Sequence, residues 1–539
     1  MLMQKIRDLT LGAPCVHVHS VARRGLAGWL AMLAVVWASQ PAGNALAADT
    51  NSPADPVVSL LLEKGVITQD EAAKAEAQIA ADRTNEPAPY LDSKWKISSG
   101  LKSVELFGDI RLRYEDREVR NSSGDINLKR FRYAVRLGLR GEAADDFYYG
   151  LRLETSSNPR SSMSTFGTSS SGLPYSGPYG KSTDGINVGQ VYLGWKPESW
   201  FDVVAGKMPN PLYTSSMVWS PSLSPEGFAE KLNYNVGPAN FFSTFGQFLY
   251  MDINPAQTSG GFFSSLGDYS GSSLPFQLAW QLGVDYQITK KLDFKIAPAI
   301  YDYVGNPADT SGTAASPYTP GFGGVYVGQG AATGGASGYP LGQYDGYYAN
   351  QTGINDLLVL EIPFELNYKM DKFDVRAFGD YAQNLSGASR AEAAYTQSHN
   401  PIYDDNQTPI EVISSPQTKD NKAYQAGVAI GSPGALGLVN GTVSQRHGWE
   451  VRSYWQHIEQ YSLDPNLIDL DFFSGQENLQ GIYAAAAYGF SDNIIGTFRY
   501  GYASRINRQL GTGGSGTDIP QMNPVNQYDI FQVDLTLKF

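Results

Sequence analysis

Arginines alternate with apolar side chains in one stretch of the first third of the chain. Within residues 129–140 the large apolar side chains share one parity, and the other parity carries Arg130, Arg132, Arg136 and Arg140. In a strand that crosses a membrane, an arginine facing lipid costs about 2–4 kcal/mol near the bilayer midplane, so this parity must face an interior. The same test assigns Arg111, Arg113 and Arg152 to the interior. These seven residues, the arginine ladder, could attract anions or orient solutes by an electric field.

Carboxylates occupy the same predicted wall. The candidate partners of the arginines are Glu105, Asp109, Glu115 and Glu154. If these carboxylates hold the arginines in ion pairs, the charged side chains simply fill the wall. The sequence leaves two interpretations open. The ladder lines a pore together with Asp109, Glu115 and Glu154, or it has a structural role.

Residues 276–303 are the clearest example of the strands that are predicted to carry these residues. Hydrophobicity alternates with a period of two from Phe276 to Thr289, a turn follows at Lys290 and Lys291, and a second alternating stretch begins at Leu292. Strands of soluble proteins usually have about five or six residues, whereas a strand tilted across a bilayer needs about 9–11. The length of this hairpin therefore predicts a membrane barrel.

Sixteen such strands are predicted between residue 104 and the end of the chain. Their starts lie near Val104, Lys129, Asp146, Ile186, Phe201, Gly227, Asn240, Phe276, Leu292, Asp356, Phe373, Lys422, Gly448, Leu479, Asn493 and Gln527. An even number lets an antiparallel barrel close with both ends on one side. Short turns alternate with long polar or glycine-rich loops, which is typical of outer-membrane barrels. Residues 432–447 break this rule, because they should form a short turn and are too many.

Composition agrees with an all-β, transmembrane antiparallel β-barrel. The 539 residues include 57 Gly, 33 Tyr, 24 Phe and one Cys. No apolar run of about 18 residues follows the N-terminal region, which excludes a helical membrane protein. Removing residues 1–47 takes away four of 40 basic and one of 53 acidic residues, which leaves 36 − 52 = −16. A chain this acidic is not expected to bind nucleic acid.

The first hundred residues differ from the rest. Arg23 and Arg24 precede an apolar core and a small-residue site at residues 45–47, which predicts a signal peptide of residues 1–47. Thr68 and Glu71 have the spacing of a capping box before an Ala-rich stretch. Residues 48–100 are therefore expected to form a short periplasmic helical segment and linker, either a weak oligomerisation coil or a solvated helix. Residues 101–539 would form the barrel.

Aromatic residues gather at the short-turn ends of the predicted strands, as they do at a membrane interface. These residues are Phe147, Trp195, Phe201, Tyr286, Tyr368, Phe373, Trp449 and Phe490. The last strand alternates and ends on Phe539. It resembles the C-terminal assembly signal of outer-membrane barrels. That resemblance implies the barrel-assembly machinery and periplasmic chaperones as partners.

Two short motifs resemble a known family. Residues 205–211 (Ala-Gly-Lys-Met-Pro-Asn-Pro) and 224–228 (Ser-Pro-Glu-Gly-Phe) are similar to the bacterial outer-membrane putative porin family, and residues 62–68 resemble the N-terminus of that family and of phosphate-selective porins. The resemblance implies a diffusion channel. In sixteen-stranded porins the third long loop folds inward, which implies a constriction loop here with Lys207, Pro209, Asn210, Trp219 and Glu226. An ordinary surface loop is the alternative.

Groups for catalysis are few. Beyond residue 47 the histidines are His399, His447 and His457, and none has the spacing of a Ser/His or metal site. We expect no enzyme activity, catalytic residue, metal or cofactor. The expected protein is a passive channel for small hydrophilic solutes or ions in the outer membrane of a Gram-negative bacterium. It would be a homotrimer that contacts lipid and lipopolysaccharide. The alternatives are an anion- or phosphate-preferring channel, a plugged adhesin-like barrel and an outer-membrane hydrolase.

Overall fold

The computed structural model describes residues 64, 68, 73–74, 100–120, 125–156, 163–167, 185–250, 276–304, 357–398, 415–464, 467–508, 510, 512 and 525–539. The chain divides into two units, Met1–Lys96 and Ile97–Phe539. Within the first unit, the described residues Ala73 and Lys74 are helical. The predicted signal peptide and most of the predicted helical segment lie outside the described residues, so these boundaries stay predictions.

The second unit is a closed antiparallel barrel. Its described strands are β1 (Glu105–Arg120), β2 (Asp125–Glu142), β3 (Phe147–Ser156), β4 (Ser164–Thr165), β5 (Gly185–Glu198), β6 (Phe201–Lys207), β7 (Glu226–Val236), β8 (Ala239–Leu249), β9 (Phe276–Thr289), β10 (Leu292–Ile296), β11 (Ala299–Val304), β12 (Leu358–Lys369), β13 (Asp374–Asn384), β14 (Lys422–Gly431), β15 (Trp449–Ile458), β16 (Leu479–Gly489), β17 (Ile494–Arg505) and β18 (Gln527–Lys538). Pairing of β1 with β18 closes the sheet. A helix, α1 (Gly387–Ser398), follows β13. Among the described residues, no helix is both long enough and apolar enough to cross a membrane.

The predicted number of sixteen wall strands is confirmed for the described barrel. β4 is a two-residue piece that pairs with β2. β10 and β11 both pair with β9 and β12, so they are two halves of one wall strand. Ala297 and Pro298 separate them, because proline has no N–H for the ladder. The largest error in a predicted start is at β2, expected near Lys129 and observed from Asp125.

The alternation of each strand gives the wall two different faces. In β2, Phe131 is 64% exposed whereas Arg132 is 1% exposed. The exposed parity of the other strands is mainly apolar as well, so it forms the face that meets lipid. The polar parity faces the interior, where loops pack against it.

The two ends of the barrel have different connections. At one end the strands are joined by short turns, such as the one at Asp145 and Asp146, which both have positive φ as tight hairpin turns require. The exception predicted from the sequence is present: residues 432–448, here the long turn, join β14 to β15. The long turn folds into the barrel. The N–H groups of Gly437 and Val439 donate to the buried Glu450 carboxylate at 2.8 and 2.9 Å.

Candidate functional site in the barrel interior

Strand register places the arginine ladder opposite carboxylates. Across β1 and β2, Asp109 faces Arg136 and Glu115 faces Arg130. Arg136 donates to both oxygens of Asp109, at 2.7 and 3.0 Å. Such bidentate pairs are among the stronger hydrogen-bonded contacts in proteins. The register, which follows from the alternation of both strands, therefore neutralises these charges.

Glu115 is the centre of a buried charge network. It is fully buried and pairs with Arg130 at 2.6 Å, and Arg117 donates to it at 3.0 Å. Arg113 lies 3.7 Å away and donates to both oxygens of Asp534, at 2.7 and 3.0 Å. Arg117 is missing from the ladder predicted from the sequence. Its parity with Arg111 and Arg113 in β1 was the signal that could have identified it.

The remaining ladder residues are distributed over the same inner wall. Arg140 pairs with Glu105 at 2.7 Å, and both are exposed. Arg152 lies 3.3 Å from Glu154, and Arg132 donates to the carbonyl oxygen of Met163 at 2.8 Å. The Arg111 side chain makes no hydrogen bond or ion pair with any residue that the structure describes. Ion pairing therefore offsets most of the ladder's charge, and a pore-lining role stays a prediction.

Residues 208–225, here loop A, leave the wall at half height because β6 has only seven residues. At its base, Lys207 and Glu226 form an ion pair at 2.5 Å. Gly206 has a φ of 116°, a conformation that favours glycine, and a Cβ there would lie 2.3 Å from the carbonyl oxygen of Val191. The backbone therefore needs a glycine at this position, where the chain leaves β6 for the loop.

Loop A reaches the opposite side of the barrel. The Tyr213 N–H donates to Gln281 of β9 at 2.8 Å. The hydroxyl of Thr214 donates to Glu361 of β12 at 2.6 Å. The hydroxyl of Ser215 donates to Asp380 of β13 at 2.5 Å. Loop A is therefore attached to three strands that are distant in sequence.

An apolar cluster holds the middle of loop A. Trp219 is 5% exposed, and its ring lies 5.9 Å from that of Phe248 and 6.4 Å from that of Tyr301 between centroids. Of the residues predicted to form the constriction, Trp219 is therefore buried, whereas others lie nearer the surface of the loop. Asn210 accepts a hydrogen bond from the Leu212 N–H within the loop, and Pro209 is exposed.

A second loop also folds inward, and sequence reasoning missed it. Residues 459–478, here loop B, join β15 to β16, and residues 465–466 lie outside the described part. Asp471 of loop B pairs with Arg113 at 2.8 Å, and Arg117 donates to the carbonyl oxygen of Leu470 at 3.2 Å. Phe472 and Phe473 are buried. The signal in the sequence was this acidic and aromatic run, whose partners are far away along the chain.

The two loops meet inside the barrel and form a bridge. The Ser220 N–H of loop A donates to the Leu467 carbonyl oxygen at 2.6 Å, and the Asp469 N–H donates to the Ser216 carbonyl oxygen at 3.2 Å. Loop A is attached to β9, β12 and β13, and loop B is attached to β1. The bridge therefore spans the interior from one wall to the other.

Two half-buried carboxylates of loop B have shifted pKa values. Burial raises the pKa of Asp469 to about 6, and the neighbouring Asp471 adds to this rise. Burial alone would also raise the pKa of Asp471, but the charges of Arg113 and Arg117 lower it below its usual range. Asp471 is therefore the charged anchor of loop B.

The interior beside the bridge remains polar. A cavity of about 350 Å³ lies near the short-turn end, lined by Asn235, Gly237, Pro238, Ala239, Asn240, Asp285, Gln287, Asp293 and Asn367. Asp202 pairs with Lys231 at 2.6 Å, and Arg376 lies 3.4 Å from Glu365. Carboxylates, amides and cations thus line the same region.

The two described histidines make other contacts. His447 Nδ1 lies 2.9 Å from the Tyr488 hydroxyl, and His457 stacks on Tyr424. His399 lies outside the described residues. Within the described part of the chain, no group of three or more His, Cys, Asp or Glu side chains could hold a metal ion.

Comparisons with known proteins place this barrel in a family. The family model described as putative porin matches residues 119–539. No curated protein matches. Solved structures with a similar fold include an anion-selective porin from Comamonas acidovorans, with 11% identity, a TM-score of 0.39 and coverage of 81% of this chain and 99% of that one. OmpT, an outer membrane protein of Vibrio cholerae, has 10% identity and a TM-score of 0.37, and the match covers 82% of this chain and 100% of that one. These likenesses are too distant to carry an argument about function. The family match covers most of the chain, so the chain belongs to the putative porin family, and the protein is an outer-membrane β-barrel that forms a channel for passive diffusion.

Proposed function

We propose that this channel passes small hydrophilic solutes and ions and excludes larger ones, because the bridge narrows its lumen. The observation that supports this proposal is the contact between Ser220 of loop A and Leu467 of loop B, at 2.6 Å. Each loop is also anchored to a different part of the wall. A solute must therefore pass beside the bridge.

The polar wall of β6 to β13 is the proposed route. It carries charges of both signs, such as Asp202 with Lys231 and Glu365 with Arg376. Lys295 lies 4.0 Å from the centroid of the Tyr213 ring in loop A. A wall of mixed charge favours general passage of hydrophilic solutes over one ion type.

The alternative of an anion- or phosphate-preferring channel has less support. Arg113, Arg130 and Arg136 are held by carboxylates, which offset the charge that would attract anions. The alternative of a plugged, adhesin-like barrel has one observation in its favour, the apolar side chains buried in the bridge, such as Trp219 and Phe472. Conductance separates the channel from the plugged barrel.

Swelling of liposomes that contain the purified protein tests the size limit. Neutral sugars of increasing size should enter at rates that fall steeply with size and rise linearly with the sugar gradient, since passive diffusion has no saturable step. Liposomes without protein are the control. Equal entry rates for small and large sugars would contradict a narrowed lumen, and no entry at all would favour the plugged barrel.

The remaining features of the proposal concern assembly. Residues 1–47 would be a signal peptide, and residues 48–100 a periplasmic segment. The barrel would assemble as a homotrimer with lipopolysaccharide around it, after delivery by periplasmic chaperones to the barrel-assembly machinery. The terminal Phe539 supports this route, because its ring is 46% exposed and close to Gly108 of β1.

The role of Phe539 can be tested without breaking the barrel seam. The backbone of Phe539 exchanges two hydrogen bonds with Gly108, at 2.8 and 3.1 Å, and these remain in Phe539→Ser. We expect this variant to insert less protein into the outer membrane, measured as folded barrel in membrane fractions. The conservative Phe539→Tyr is the control and should insert normally. Normal insertion of Phe539→Ser would contradict recognition of the terminal aromatic ring.

A further inference from the structure

Arg111 stands apart from the other ladder arginines. It lies on the inner face of β1, opposite Thr536 of β18 and Ala134 of β2. Its Nε is buried and has no hydrogen-bond partner, and no ion pair of its guanidinium exists within the described residues. Asp534, which Arg113 and Arg499 already share, attracts the charge of Arg111 from beyond ion-pair distance, and the like charges of Arg113, Arg136 and Arg499 oppose it. A partly buried cation surrounded by more like charges than counter-charges favours a bound anion.

Arg111 borders a small cavity where the long turn meets the wall. The cavity measures about 40 Å³. Besides Arg111, the lining includes Arg136, Arg499 and Lys538 as cations, Asp109 as the acid, and Thr536. Val439, Asn440 and Gly441 of the long turn also line the cavity. The cavity therefore lies between the barrel wall and the inserted long turn.

The carboxylates around the cavity are already in use. Asp109 accepts both hydrogen bonds of Arg136, at 2.7 and 3.0 Å. Asp534 is shared by Arg499 and Arg113. Lys538 donates to the carbonyl oxygen of Gly441, which carries no charge. Within the described residues, Arg111 and Lys538 thus form no ion pair of their own, and the acids that attract them from farther away, Asp534 and Asp109, are already paired with other arginines.

We propose that this cavity binds one small inorganic anion of halide size, such as chloride. One water needs about 10–15 Å³, so the cavity has room for a few waters. This space suits a halide ion and is tight for a tetrahedral oxyanion. Arg111 and Lys538 supply the charge, and the hydroxyl of Thr536 supplies a further donor. The bound anion holds the long turn against β1 and β18. It is a fixed part of the wall and does not depend on which solutes the channel passes.

Thermal unfolding in detergent tests the site. At constant ionic strength, replacing sodium gluconate by sodium chloride should raise the unfolding temperature of the wild type, because an anion that binds only the folded state stabilises it. Arg111→Gln should lose most of this rise. Arg140→Gln is the matched control and should keep it, since Arg140 is exposed and pairs with Glu105. An equal rise in Arg111→Gln, or no rise in the wild type, would overturn the proposal.

Two further measurements keep the proposal testable if a variant fails to fold. Wild-type crystals grown in sodium bromide should show an anomalous peak beside the Arg111 guanidinium, and a map without that peak would overturn the site. Sodium phosphate at the same ionic strength should stabilise the wild type less than chloride does. A larger effect of phosphate would overturn the halide size. Both measurements are independent of conductance, so a failed channel experiment leaves them unaffected.

Discussion

Single buried carboxylates decide what the arginine ladder can do. Glu115 contacts Arg117 and Arg130, and Asp534 contacts Arg113 and Arg499. Arg113 also lies directly opposite Arg132 in the strand register, an arrangement of like charges that is unfavourable without these acids. Replacing a buried ladder arginine by an acid would therefore destabilise the folded barrel, and an effect on ion selectivity could not be separated from that loss.

We expect Arg113→Met to lower the free energy of unfolding by about 3–5 kcal/mol, because it leaves Asp534 and Asp471 short of a partner in a buried network. Guanidinium-induced unfolding of the barrel in detergent measures this change. Arg140→Met is the matched control and should lower the free energy of unfolding much less, because water screens its exposed pair with Glu105. Equal losses in the two variants would contradict the distinction between buried and exposed ladder positions.

The raised pKa of Asp469 predicts that the stability of the folded protein depends on pH. Its pKa rises from 3.8 to about 6 because of burial, followed by the charge of Asp471. The folded protein then keeps a proton that the unfolded chain loses in this window, so this group lowers stability as pH rises through it. The wild-type unfolding temperature should therefore fall more than that of Asp469→Asn between about pH 4 and about pH 7.

The Asp469→Asn variant serves as its own control for other groups. It keeps a carbonyl oxygen for the Asp471 N–H, which now donates to Asp469 at 3.2 Å, and all other carboxylates titrate in both proteins. Any difference between the wild type and Asp469→Asn in how the unfolding temperature changes with pH is therefore due to Asp469. The same fall in both would show that folding does not raise the pKa of Asp469.

At the level of elements, the walls could be predicted and the interior only in part. Alternation and length are local signals, so the strand starts from Phe201 to Gln527 were found from the sequence. The family resemblance pointed to loop A. Loop B could not be found, because its anchors Arg113 and Arg117 are more than 300 positions away and nothing local reports that contact.

The break in the ninth wall strand shows another limit of local patterns. The sequence of residues 292–301 alternates well enough to suggest one strand, but Pro298 removes a ladder donor. The Ala297 N–H donates instead to the carbonyl oxygen of Pro363 at 3.1 Å. The strand therefore continues as β11 after two residues. The long turn was recognised as unusual by its length, whereas its inward fold depends on Glu450.

For the whole molecule, the outer face of β6 to β8 differs from the rest of the wall. Glu230 shares the outward parity of Leu232 and Tyr234, and its two carboxylate oxygens are buried without a partner in the described part of the chain. Gln247 lies on the outward parity of β8 with Leu249. Polar groups at this depth suit contact with another copy better than contact with lipid.

This face should be protected in the proposed homotrimer. A cysteine at Gln247 should react slowly with a lipid-soluble maleimide in the native protein, and rapidly after heat dissociation. A cysteine at Val428, which is 45% exposed on the outer face of β14, is the matched control and should react rapidly in both states. Equal rates at the two positions would contradict an interface on this face. The chain's single cysteine, Cys15, lies in the predicted signal peptide.

The bridge is the central claim, and single-channel conductance in a planar bilayer tests it most directly. Thr214→Val with Ser215→Ala removes the hydroxyls that attach loop A to Glu361 and Asp380. Ser222→Ala, in the same loop but with no described side-chain contact to the wall, is the control. We predict that the wild type and the control conduct with the same small step, and that the double variant conducts with a larger one. Identical conductance in the folded double variant, or no conductance in the wild type, would contradict a channel narrowed by the bridge.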